Sequence, residues 1–94
     1  MTKAEIVNEI ANKTGIDKNA VQTVVESFMT TVKVSLSQDD NVYLRGFGSF
    51  IVKERAKKTA RNISKKTTIV IPAHKIPAFK PCKTFVNVVK KINN

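Results

Sequence analysis

A chain of 94 residues holds one domain and no more, because domains run from about 50 to 200 residues, and a monomer of this size is only marginally stable. Formal net charge is +10 and the isoelectric point is about 10.1, which excludes a chain built for cationic partners and points to a polyanionic one. No uninterrupted apolar run approaches the ~18 residues of a membrane span, Met1-Thr2-Lys3 leads into no signal-peptide core, and the single cysteine, Cys82, has no intrachain disulfide partner, so the expectation is a reducing cytoplasm.

In chain order, the first predicted element is a helix after Thr2. Thr2 followed by Glu5 is a capping box, which satisfies two otherwise unpartnered backbone N–H groups. Ile6, Val7, Ile10 and Ala11 form an apolar stripe, and Gly15 supplies a left-handed stop. Asp17 caps a second, longer helix. Its apolar positions, Val21, Val24, Val25, Phe28, Met29, Val32 and Leu36, run for about four turns. That stripe is longer than one short helix covers, and a facing copy from a second subunit would supply the missing packing.

Residues 37–41 form a turn cluster of Ser, Gln, Asp, Asp and Asn. Strands are expected at Val42-Tyr43-Leu44 and Phe50-Ile51-Val52, with a tight turn allowed by Gly46-Phe47-Gly48. Basic residues then crowd in up to Lys66, and Thr67-Thr68-Ile69-Val70-Ile71 returns as strand. Ile71-Pro72-Ala73 and Ile76-Pro77-Ala78 place prolines where a central strand could not accept them, which puts this region at a sheet edge or outside the sheet. Pro81 suits a first helical turn, and Phe85, Val88, Val89 and Ile92 give the closing helix its stripe. The expected order is ααβββα, an α+β fold.

The charge is divided unevenly along this order. All seven acids lie in residues 1–54 against six bases, a net charge of −1, whereas residues 55–94 carry eleven bases and no acid. A surface tuned only for solubility mixes both signs. Residues 53–72, read as a hairpin, have little to bury, and an isolated two-stranded ribbon is marginal in water. Its use must come from binding, and nucleic-acid grooves admit such ribbons. Ile63 is an apolar residue between polar neighbours at the expected tip. Two readings stay open on the residues alone: an ordinary exposed side chain, or a wedge pushed between base steps.

Gly46-Phe47-Gly48-Ser49-Phe50, Lys53-Glu54-Arg55, Arg61-Asn62, Ile76-Pro77-Ala78-Phe79 and Lys83 resemble the HU/IHF family of bacterial nucleoid proteins, and the similarity runs without an evident gap through about residue 90. The resemblance implies an intertwined dimer with a helical body, a β-sheet saddle and two protruding β-ribbon arms that wrap double-stranded DNA in the minor groove. It implies a helical dimerisation region over residues 1–36, saddle strands over 42–53, an arm over 54–74 and a last helix over 81–92. The implied dimer core is Val25, Phe28, Met29, Val32, Leu44, Phe47, Phe50 and Phe79. The implied DNA contacts on the arm are Arg55, Lys57, Lys58, Arg61, Asn62, Ile63, Lys65 and Lys66. Elsewhere they are Lys3, Lys53, Lys75, Lys80 and Lys83. Family members usually carry proline where Ile63 stands, which favours the wedge; they usually carry glycine where Lys66 and Cys82 stand, and often at Ala60. The implied setting is the bacterial nucleoid, with a homodimer expected and a heterodimer of two paralogues as the alternative.

The remaining chemistry-bearing residues read plainly. Cys82 is expected to be a small packing residue rather than a reactive thiolate. His74 has no Cys or His at ligand spacing, so no metal site is expected, and no cofactor. Asp39 and Asp40 suit helix termination rather than acid–base work. No nucleophile stands with a base, so an enzyme is not expected. Two other functions compete with architectural DNA binding. An RNA-binding protein would want exposed aromatics for stacking, whereas the five Phe and one Tyr fall mostly in helix stripes or the GFGSF turn. A dimeric interaction module would instead present the basic half to an acidic protein.

Overall fold

The structure, a computed structural model, describes the backbone of residues 1–56, 58–62 and 67–92 and the side chains of residues 1–56 and 72–91. In chain order the elements are α1 (Lys3–Thr14), α2 (Lys18–Ser37), β1 (Val42–Leu44), β2 (Gly48–Arg55), β3 (Lys58–Asn62), β4 (Thr67–Ile71), β5 (His74–Pro81) and α3 (Lys83–Ile92). They divide into two units, Met1–Ser35 and Leu36–Asn94.

In the first unit the helix ends follow the local chemistry. The Thr2 hydroxyl oxygen accepts a hydrogen bond from the Glu5 N–H at 3.3 Å. Gly15 takes a left-handed φ of 75° and donates its N–H to the Ala11 carbonyl at 2.9 Å, a conformation that glycine adopts without a Cβ penalty. One carboxylate oxygen of Asp17 accepts from the N–H groups of Asn19 and Ala20 at 3.1 and 3.3 Å, opening α2. Little apolar surface is covered here. Among the described residues, Val7 (2 % exposed) and Val21 (4 %) are the buried apolar side chains. The rest of the α2 stripe is open: Val24 is 67 % exposed, Phe28 and Met29 are exposed as well, and Val25 and Val32 are half-buried.

In the second unit, Asp39 ends α2 with a φ of 61° and donates its N–H to the Leu36 carbonyl at 3.1 Å; Asp tolerates this left-handed position better than most residues. Among the described residues the expected three strand regions divide into five strands in two sheets, one of three strands in the order β1-β2-β5 and one of two, β3-β4. The break between β4 and β5 falls at Pro72-Ala73, where proline offers no N–H to a ladder. All pairing is antiparallel, with Val42 opposite Phe50, and Phe50 opposite Phe79. Because β5 is an edge strand, it accepts Pro77 and Pro81.

Pro81 corrects the sequence expectation. It is the last residue of β5, opposite Gly48, and α3 begins at Lys83 rather than at residue 81. The reason is that an edge strand and a first helical turn tolerate the same missing N–H and fixed φ. The turn into α3 is made instead by Cys82, whose N–H donates to the Phe47 carbonyl and whose carbonyl accepts from the Val86 N–H, both at 3.0 Å.

The two glycines around Phe47 do different jobs. Gly46 has a φ of 82° in a turn closed by the Phe47 N–H on the Leu44 carbonyl at 3.0 Å. Gly48 already belongs to β2, and its lack of a side chain admits the Phe79 ring. Phe79 lies 5.0 Å from both Phe47 and Phe50, and Phe47 stacks on Phe85 at 5.3 Å. This ring cluster holds three of the expected dimer-core residues, Phe47, Phe50 and Phe79, beside half-buried Leu44.

Candidate nucleic-acid interface

Successive residues of a strand point to opposite faces, so the register separates the three-stranded sheet into two chemically distinct surfaces. One carries Val42, Leu44, Phe50, Val52 and Phe79, the side of the phenylalanine cluster. The other carries cross-strand rungs of Tyr43, Ser49 and Lys80; Ile51 and Ala78; Lys53 and Ile76; and Arg55 and His74. Among the described residues this second face bears Lys53, Arg55 and Lys80 and no carboxylate. The small or half-buried Ile51, Ile76 and Ala78 lie between the cations and form a low apolar floor.

The edge of this face is closed by Asn41. Its side-chain oxygen accepts the Val52 N–H at 3.0 Å, a donor that lies beyond the end of β1, and its amide nitrogen donates to the Tyr43 hydroxyl at 3.4 Å. Tyr43 itself is 72 % exposed. Past Val52 in the same direction, β2 and β5 stay paired as far as the Arg55–His74 rung. Beyond it the separate ribbon begins, pairing Lys58 with Ile71, Arg61 with Thr68 and Asn62 with Thr67. Lys57, Ile63, Lys65 and Lys66 lie outside the described residues, as do the side chains of Lys58, Arg61 and Asn62.

The structure does not bring every expected contact to this face. Lys75 sits opposite Glu54 on the phenylalanine side of the sheet, and its ammonium is paired with the Asp39 carboxylate. The hydrogen bond from Lys75 to Asp39, with the Asp39 charge and a smaller effect of Glu54, raises the Lys75 pKa above the ordinary lysine value. Lys3, in the first unit, is held by Glu26 at 2.8 Å. The hydrogen bond from Lys3, followed by that from Gln22, lowers the Glu26 pKa below the usual carboxylate value. Lys83 is the exposed first residue of α3. Tyr43, Ser49 and His74 share the cationic face but were not among the expected contacts. Counting in twos from Lys53 reaches Ser49; Tyr43 joins through its hairpin pairing with Ser49, and His74 through long-range pairing with Arg55.

No helix among the described residues is long and apolar enough to cross a membrane, and among them no three His, Cys, Asp or Glu side chains cluster as metal ligands would.

Comparison with known proteins gives a consistent result. Residues 1–90 match the family described as bacterial DNA-binding protein. The chain is 38 % identical over 91 residues to the DNA-binding protein HU of Thermus thermophilus, covering 97 % of this chain and 94 % of that one. It is 38 % identical over 90 residues to the DNA-binding protein HU of Geobacillus stearothermophilus, covering 96 % of this chain and all of that one, 100 %. Its fold is similar to that in an Anabaena HU–DNA cocrystal structure, with a TM-score of 0.89, 35 % identity, and coverage of 95 % and 97 % of the two chains. A mutant HU from Thermotoga maritima matches with a TM-score of 0.73 and 27 % identity, covering 95 % of this chain and 99 % of that one.

Proposed function

The chain belongs to the bacterial DNA-binding protein family, that of the HU proteins, and from that premise we propose that it is an architectural protein that binds, bends and compacts double-stranded DNA with little sequence preference. The observation that carries this reading is the sheet face with Lys53, Arg55 and Lys80, free of carboxylates among the described residues and continued by the ribbon β3–β4. Such a surface offers cations for phosphates and few groups able to read base edges. The two ribbons of a dimer enter the minor groove, with Lys58, Arg61 and Asn62 on each, together with Lys57, Ile63, Lys65 and Lys66. The setting is the nucleoid of the bacterial cytoplasm.

The active unit is a dimer, most simply of two identical chains. The uncovered stripe of Val24, Phe28 and Met29 supports this, because a single domain that leaves its longest apolar stripe in water is better completed by a second copy. No chemical step is assigned to the protein, and the family is one of DNA-binding proteins rather than of enzymes.

The test is duplex affinity measured across a salt series. Roughly 6–10 phosphate contacts predict a log–log slope between about −5 and −9. A slope near zero, or strong preference for one short site, would overturn the reading. The exposed Tyr43 on the cationic face favours single-stranded nucleic acid as a second reading, since exposed aromatics stack on unpaired bases. Competition between duplex DNA and single-stranded RNA separates the two.

A further inference from the structure

We propose that His74 is itself a DNA contact, and that its imidazole takes up a proton as a backbone phosphate docks beside it. The inference rests on the DNA-binding reading and adds to it a residue and a linkage.

Placement is the first argument. His74 is exposed and stands opposite Arg55 on the last rung of the three-stranded sheet, where β2 and β5 end and the ribbon takes over. It shares that face with Lys53 and Lys80. A duplex laid along those cations would bring phosphates to this rung.

The second argument is the state of the ring. The His74 Nδ1 lies 3.1 Å from the Pro72 carbonyl oxygen. A carbonyl only accepts, so Nδ1 carries the hydrogen, and in the neutral ring Nε2 is left with a lone pair. A phosphate oxygen is also only an acceptor, so while Nδ1 keeps its hydrogen on the Pro72 carbonyl the neutral ring has no second hydrogen to offer it. One proton from solvent on Nε2 makes that nitrogen a donor and adds a positive charge, allowing a charge-assisted hydrogen bond.

The third argument is what surrounds the ring. On its own face the described charges are Arg55 opposite, then Lys53 and Lys80, all positive. The carboxylates Glu54 and Asp39 belong to the Lys75 side, where Asp39 is already paired. Among the described residues of these strands no anion shares this face with the ring. The phosphate therefore brings the stabilising charge, and binding becomes linked to proton uptake.

His74 is the chain's single histidine, so imidazole titration is assignable. The experiment is duplex affinity by fluorescence anisotropy at fixed ionic strength from about pH 7.5 to about pH 5.5, the range in which imidazole chemistry changes charge. It is run on the wild type, His74→Gln and His74→Lys, with calorimetry in two buffers of different ionisation enthalpy to count protons. An exposed charge contact changes affinity by about threefold, so the two rings of a dimer should raise wild-type affinity about tenfold as the pH falls. His74→Gln should lose that rise and its proton uptake. His74→Lys should hold the acid-limb affinity at every pH. Equal pH slopes and equal proton counts in the wild type and His74→Gln would overturn the inference alone. Absence of wild-type binding at every pH would overturn the DNA-binding reading, and the inference with it.

Discussion

Gly48 and Phe79 are packed so closely that a methyl group at position 48 would stand 2.7 Å from the Phe79 ring and 2.6 Å from the backbone oxygen of Lys80. The carbonyl belongs to β5, so the strand itself would have to move. Overpacking of this kind costs about 1–3 kcal/mol. Gly48→Ala should therefore lower the urea midpoint clearly. Gly46 meets nothing within 4 Å and is held only by its φ of 82°, so Gly46→Ala carries the left-handed backbone penalty alone, about 1–2 kcal/mol. Equal stability of Gly48→Ala and wild type would show that β5 is not pinned against β2 here.

Lys3 and Glu26 predict a different behaviour, in binding rather than folding. The 2.8 Å pair occupies the Lys3 ammonium. Because the Glu26 pKa is lowered, the pair is complete above the ordinary carboxylate range and is lost only as the pH falls through the folded-state value. Glu26→Gln frees Lys3 at neutral pH. If Lys3 lies under the duplex, the variant should bind DNA more tightly at low salt, with a slope steeper by about one per subunit. An unchanged slope would place Lys3 away from the phosphates.

The two sheet faces give a paired test. Lys80 shares a rung with Ser49 and Tyr43 on the cationic face, whereas Lys75 faces the other way and holds Asp39. Lys80→Ala should weaken binding to every duplex and flatten the salt slope by about one per subunit. Lys75→Ala should leave the slope nearly unchanged. The reverse ranking would mean that DNA contacts the opposite side of the sheet.

Much of this is legible in the sequence itself, and the division follows the range of the interactions. Thr2, Gly15 and Asp17 act on backbone groups within four residues of themselves, so their caps read directly from sequence. The basic half was legible from composition. Pro81 misled because the edge of a sheet and the start of a helix ask the same thing of it, and only the pairing with Gly48 decides. The face on which Lys75 stands is not legible locally: alternation assigns it only once Glu54 is known to be its partner. His74 acquires meaning from Arg55, nineteen residues earlier in the chain, and no local pattern joins them.

The open stripe of α2 predicts that stability depends on concentration. A chain with Val24 67 % exposed and Phe28 and Met29 also in water gains its missing burial from a second copy. The melting temperature should then rise with protein concentration, and sedimentation at micromolar concentration should give twice the chain mass. Phe28→Glu should abolish the dimer, leaving an unfolded or weakly folded monomer. A compact, stable wild-type monomer would contradict the dimeric assignment.

Ile63 lies outside the described residues, directly after Asn62. An apolar side chain gains nothing from phosphates, but between two base pairs it can hold a kink open. Unstacking costs a few kcal/mol, offset by the extra protein surface that a bent duplex touches. Ile63→Ala should therefore reduce the bend on intact DNA and lose most of the preference for nicked over intact duplex, because a nick already relieves unstacking. Arg61, which pairs with Thr68 along the ribbon, should behave differently. Arg61→Ala removes a cation whose phosphate contact does not depend on the kink, so it should weaken intact and nicked duplexes by similar factors. Energy transfer between dyes at the two duplex ends reads the bend directly. An unchanged angle in Ile63→Ala, with affinities falling in parallel as for Arg61→Ala, would make Ile63 an ordinary exposed residue and remove the wedge from the mechanism.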